Sequence, residues 1–166
     1  MKKWIVCLLL ISLLLSGCGL YEEKEEPLQF YYPVKNMDYS RNTSYLQAEP
    51  RDRILTGYFL TEILNQYLQG PRDQLTYDMP FQYNTRAVSI SIDNGIMDLT
   101  LSRGFATYSG LELTIACACI AKTVMSITGV DIVRIRADQT ALDGAEYIEM
   151  DANTVLLIDN GVINEE

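Results

Sequence analysis

The chain has 166 residues, room for one domain of ordinary size, and sets 22 acidic residues against 13 basic ones for a formal charge of −9. That balance argues against nucleic acid as a partner and against electrostatic docking of the folded part on anionic lipid. The sequence contains no histidine, so Ser-His-Asp and Cys-His nucleophilic sites and the usual His-based zinc sites cannot be assembled from it.

Lys2 and Lys3 precede an apolar run over residues 5–15 that is broken by one serine, the layout of a secretory signal. The run is well short of the roughly 20 residues that a helix needs to cross a hydrocarbon core, so a permanent transmembrane anchor fits less well. Leu15-Ser16-Gly17-Cys18 follows, and this tetrapeptide resembles the lipobox of bacterial lipoproteins. The resemblance implies cleavage before Cys18, diacylglycerol in thioether linkage to its thiol, and attachment to the extracytoplasmic side of the cell membrane. Two acyl chains hold a protein stably where one is marginal. Cys7 would leave with the signal, as would Lys2 and Lys3, which moves the mature charge to −11. Residues 18–27, with Glu22, Glu23, Lys24, Glu25 and Glu26, then read as a lipidated, solvated acidic tether.

Residues 28–34 are rich in aromatics and bounded by Pro27 and Pro33, which predicts an edge-like strand, with residues 43–49 as its antiparallel partner. Phe30, Tyr31, Tyr32 and Tyr45 either line an aromatic surface for a glycan or protein partner or simply pack a core. Over residues 56–69 the side chains of Leu60, Ile63, Leu64, Tyr67 and Leu68 fall at helical spacing, and Gly70-Pro71 stops the helix. Val88, Ile90 and Ile92 alternate with serines before Asn94-Gly95, after which Met97, Leu99 and Leu101 alternate again. This is the pattern of a β-hairpin with a type I′ turn. Asp93 and Asp98 either form an acid/base or cation-binding pair or serve the turn and the solvent.

Ser109-Gly110-Leu111-Glu112 reads as a capping box opening a helix that runs to Thr128 and ends at Gly129. Cys117 and Cys119 point about 200° apart on that helix and read as small buried hydrophobes. Residues 130–137 alternate, with Val133 and Ile135 inward and Arg134 and Arg136 outward. Those arginines are either a contact stripe on an acidic molecule or a solvated strand face. An apolar stretch over residues 154–158 suggests a last strand. The sum is an α/β (α+β) fold, a small two-layer sandwich in which two helices pack on one face of a mixed or antiparallel sheet. No phosphate loop or dinucleotide fingerprint is present, and Lys24, Lys35 and Lys122 sit in no Ser-Lys motif.

Leu68-Gln69-Gly70-Pro71, Met79-Pro80, the hairpin around Ser91-Ile92-Asp93-Asn94-Gly95-Ile96-Met97-Asp98-Leu99-Thr100, and the helix running into Gly129-Val130-Asp131-Ile132-Val133 occur in this order. In that succession the chain resembles the GerMN domain, a sporulation and spore germination domain common in bacterial lipoproteins, over residues 28–144. Residues 145–166 are then a C-terminal extension. The resemblance implies a non-catalytic envelope module, without metal or cofactor beyond the lipid on Cys18, that contacts another envelope protein in sporulation or germination. Phe30, Tyr32, Arg134 and Arg136 are its candidate contact residues. The alternative is a lipoprotein that binds a small ligand or cell-wall glycan.

Overall fold

A computed structural model describes residues 26–36, 44–52 and 59–161. The expected signal (residues 1–17), Cys7, the lipidation residue Cys18, and all of the tether but Glu26 and Pro27 lie outside the described residues. So do Thr43 and residues 56–58, at the expected starts of the second strand and first helix.

Strand β1 (Leu28–Pro33) alternates Leu28, Phe30 and Tyr32 toward the interior and pairs antiparallel with β2 (Leu46–Arg51), Phe30 opposite Glu49. The two form a ribbon separate from the main sheet. Helix α1 (Leu60–Tyr67) follows extended Phe59 and buries Leu64 and Tyr67. Its C-terminal segment turns at Gly70, whose φ of +98° favours glycine.

The hairpin is present as β3 (Ala87–Asp93) and β4 (Ile96–Leu101). Asn94 and Gly95 take φ values of 48° and 78°, the two positive angles a type I′ turn requires. The alternating Val88, Ile90 and Ile92 do not form a buried row, and Val88 and Ile92 are about half exposed. A bulge between Ala87 and Ser89 puts Ala87 opposite Leu101 and leaves Val88 exposed. A 3-10 turn (Arg103–Thr107) that the sequence reading did not anticipate buries Phe105.

Helix α2 (Gly110–Thr128) ends at Gly129 in the left-handed region, as its sequence implies. The capping box does not form: Ser109 makes no side-chain cap bond, and the Gly110 N–H donates instead to Asp143 Oδ2 at 3.2 Å. A carboxylate from a distant turn thus takes the first N–H group that a local box leaves to others. By length and composition α2 would suffice to cross a membrane. Here it is a core helix, buried on several faces as an apolar-all-round helix must be.

Strand β5 (Ile132–Ala137) lies parallel to β4 and antiparallel to β6 (Ile148–Asp151), giving a mixed sheet of order β3-β4-β5-β6. Val133 and Ile135 point inward as expected. The expected strand over residues 154–158 is instead part of helix α3 (Ala152–Gly161). A short apolar run fits either period, and the Asp151 carboxylate, accepting from the Thr154 N–H at 2.7 Å, caps a helix there.

The molecule is an α+β sandwich in which α2 packs on one face of the mixed sheet. A second face of α2 carries the ribbon, tied by the Tyr31 N–H donating to Thr123 Oγ1 (2.9 Å) and Ser126 Oγ donating to the Gln29 carbonyl (3.1 Å).

Candidate functional site

Side chains alternate across a strand, so with Val133 and Ile135 under α2, Arg134 and Arg136 stand on the outer face of the sheet. Parallel pairing places Asp98 on β4 beside Arg134 in register, and antiparallel pairing places Glu149 on β6 at its other side. Arg134 Nε donates to Glu149 Oε2 at 2.8 Å. Arg136 reaches the other way, Nη1 donating to Glu146 Oε1 at 2.5 Å and Nη2 to Asp98 Oδ1 at 3.2 Å. The Tyr147 ring lies 5.6 Å from the Arg134 guanidinium and 4.9 Å from that of Arg136, within cation–π range of both. The hydrogen bonds to Glu149 and Asp98, respectively, raise the pKa of the two guanidiniums, so both stay charged at any working pH.

This is a laced, partly exposed charged face, with two cations, three carboxylates and one aromatic ring held by three adjacent strands and the turn before β6. Arg134 and Arg136 were legible as outward residues. Their partners Glu146, Tyr147 and Glu149 were not, because β6 escaped the sequence reading. The period-2 spacing of Tyr147, Glu149 and Asp151 was the available signal.

Phe30 and Tyr32, expected with the arginines on one contact surface, are instead core residues at 2% and 0% exposure. Their rings pack with Tyr67, which contacts Phe30 at 5.3 Å and Tyr32 at 5.1 Å between centroids, and Phe81 closes the cluster. The ribbon has its aromatic face covered by α1 and α2, so burial of the large rings outweighs any gain from leaving them for a partner. Tyr31 is half-buried beneath Lys122, whose Nζ lies 4.8 Å from the ring centroid.

Asp93 and Asp98 have separate partners. Asp93 accepts from Asn94 Nδ2 at 3.1 Å while Asp98 is held by Arg136. No cluster of His, Cys, Asp and Glu side chains suited to a metal occurs among the described residues. Cys117 and Cys119 are buried free thiols, and burial pushes Cys117 up to about 12 and Cys119 well above its ordinary value, which keeps both as unreactive thiols.

Tertiary structure does bring one serine near a lysine: Lys122 Nζ stands 3.4 Å from Ser44 Oγ. The same ammonium is engaged by Asp159 Oδ2 at 2.7 Å and the Leu46 carbonyl at 3.0 Å, and Ser44 donates to Asp159 at 2.5 Å. The Lys122 ammonium and the Ser44 hydroxyl thus share one acceptor, Asp159 Oδ2. The cluster is a clamp. Lys35 likewise serves structure, donating to the Gln74 carbonyl at 2.7 Å.

A family model, Germane, described as sporulation and spore germination, matches residues 29–143. Among solved structures, the tandem GerMN domains of the sporulation protein GerM from Bacillus subtilis superpose with a TM-score of 0.55 at 16% identity, covering 83% of this chain and 50% of that one. The chain therefore spans about half the length of that tandem structure. A candidate lipoprotein from Clostridium perfringens gives a TM-score of 0.45 at 20% identity, over 76% of this chain and 87% of the other. No curated protein matches the sequence.

Proposed function

The chain belongs to the Germane family of sporulation and spore germination, and from that membership we propose that it is a non-catalytic module, tethered outside the cell membrane by lipid on Cys18, that docks an envelope protein through its Arg134/Arg136 face. The observation that carries the docking surface is the network joining Arg134 and Arg136 to Asp98, Glu146, Tyr147 and Glu149. Charged groups arranged on a surface in this way govern orientation and partner choice at an interface more than raw affinity. Arginines stacked on tyrosine are also the residue types that dominate binding energy at interfaces.

The anchor follows from the lipobox resemblance at Cys18, and the acidic tether spaces the domain from the bilayer. The test is crosslinking in living cells, followed by membrane solubilisation and mass spectrometry. The intact chain is compared with Cys18→Ala and with the double variant Arg134→Glu/Arg136→Glu. Recovery of a defined envelope protein with the intact chain, and its loss in both variants, is the expected outcome. An unchanged crosslink pattern in the arginine variant would remove the face from the proposal, and unchanged membrane retention of Cys18→Ala would remove the anchor.

A further inference from the structure

We propose that a groove at the open end of the β3–β4 hairpin binds an acidic saccharide, with its anionic group between Arg86 and Arg103. The groove encloses about 820 Å³ and is lined by Asn65, Tyr83, Thr85, Arg86, Arg103 and Asp138 among others, a size within the usual range of small-molecule sites. It uses neither arginine of the sheet-face network, so it stands apart from the docking reading above.

Hairpin pairing brings the two cations together. The Ser102 N–H donates to the Arg86 carbonyl at 2.8 Å, and the Arg86 N–H donates to Ser102 Oγ at 3.2 Å, so Arg103 follows directly on the residue across from Arg86. Both side chains are exposed, and among the described residues neither guanidinium has an ion pair or hydrogen bond. Arg51, Arg134 and Arg136 all have carboxylate partners. In a chain of formal charge −9, two uncompensated guanidiniums facing one groove beside a single carboxylate, Asp138, make a local anion site.

The rest of the lining selects a sugar over a bare anion. Asn65 accepts from the Ala87 N–H at 2.8 Å through its amide oxygen, which leaves its amide N–H groups without a partner among the described residues. Tyr83, at 92% exposure, offers an aromatic face of the kind on which the C–H face of a sugar ring stacks. A ligand carrying a hydroxyl, a ring and a carboxylate or phosphate uses the Asn65 amide, the Tyr83 ring and the two arginines, whereas a simple anion uses only the arginines.

The test titrates the full-length chain in detergent micelles with N-acetylmuramic acid, with N-acetylglucosamine as the uncharged counterpart and inorganic phosphate as the bare anion. Expected is saturable binding of N-acetylmuramic acid, at least about tenfold tighter than either comparison compound. The double variant Arg86→Gln/Arg103→Gln should lose about tenfold or more in affinity with Tm unchanged. Failure to saturate with N-acetylmuramic acid, undiminished binding by the double arginine variant, or phosphate binding as tight as that of the sugar would each overturn the proposal.

Discussion

Lys122 and Asp159 face each other across the junction of α2 and α3, Nζ to Oδ2 at 2.7 Å, with the carboxylate almost wholly buried. The other oxygen of Asp159 accepts from the Leu46 N–H at 2.6 Å. One side chain near the end of the described chain therefore holds the start of β2, the core helix and the last helix together. Residues 145–161 are thereby packed with the rest of the domain. Asp159→Ala leaves the Leu46 N–H without its acceptor, and the Lys122 ammonium and Ser44 hydroxyl with only the Leu46 carbonyl to share. The expected loss is about 3 kcal/mol, the low end for a broken buried pair because Lys122 retains some solvent. Urea unfolding measures it, and a loss below about 1 kcal/mol would mean that water replaces the carboxylate freely.

Gly70 and Met79 carry two of the sequence motifs by which the family is recognised, and they meet in the fold: a β-carbon on Gly70 would run into the Met79 thioether. Gly70→Ala combines this clash with a φ of +98°. It should destabilise by about 1–3 kcal/mol. In a double-mutant cycle, Met79→Ala should recover the clash but not the backbone strain, so rescue in thermal melts will be partial.

Tyr67 is fully buried, and its hydroxyl donates to the Tyr31 carbonyl at 3.0 Å, while Tyr32 donates to the Tyr67 carbonyl at 2.8 Å. Tyr67→Phe should cost about 1 kcal/mol. Tyr67→Ala, which empties the centre of the aromatic cluster, should cost about 3–5 kcal/mol. Chemical denaturation of both variants checks the ratio.

Burial, the largest cause in each case, raises the phenol pKa values of Tyr32 and Tyr67 far above the ordinary 10.0. The unfolded chain loses these protons above pH 10 and the folded chain keeps them, so stability must fall as pH rises past that point. In a spectrophotometric titration, Tyr32 and Tyr67 should not ionise until the fold is lost. Early and reversible ionisation of all 11 tyrosines would contradict the buried cluster.

Asp151 has a lowered pKa, chiefly through its side-chain hydrogen bond with Thr154 at the start of α3. A depressed carboxylate contributes stability above its unfolded value of 3.8 and loses it as pH falls through the lower folded value. Asp151→Ala should therefore lower Tm by about 3 °C at neutral pH. The gap from the parent should close as the pH falls below that of an ordinary carboxylate. A gap independent of pH would show that the variant disturbs packing and not the cap.

Much of the scaffold was legible along the chain. Alternation around Asn94-Gly95 gave the hairpin, Gly70 and Gly129 marked two helix ends, and alternation in β5 put Val133 and Ile135 inside with Arg134 and Arg136 outside. Even the arginine groove left a trace, since a two-residue turn at Asn94-Gly95 makes Arg86 and Arg103 cross-strand neighbours before any bulge is counted. These features depend on contacts among residues close in sequence, whose periods and turn angles the residue types themselves restrict.

What the tertiary structure decided turns on distant partners. Phe30 and Tyr32 were equally suited to a surface or a core until α1 and α2 covered the ribbon. The Ser109 box yielded its helix start to Asp143, thirty-odd residues on. Residues 154–158 had an apolar run that fits strand or helix alike, and the Asp151 cap and the seat of Asp159 against Lys122 and Leu46 made it a helix. Local propensities differ by about 1 kcal/mol or less, while burial of a ring or breakage of a buried ion pair is worth several times that. Where the local preferences balanced, the long-range contact therefore set the outcome.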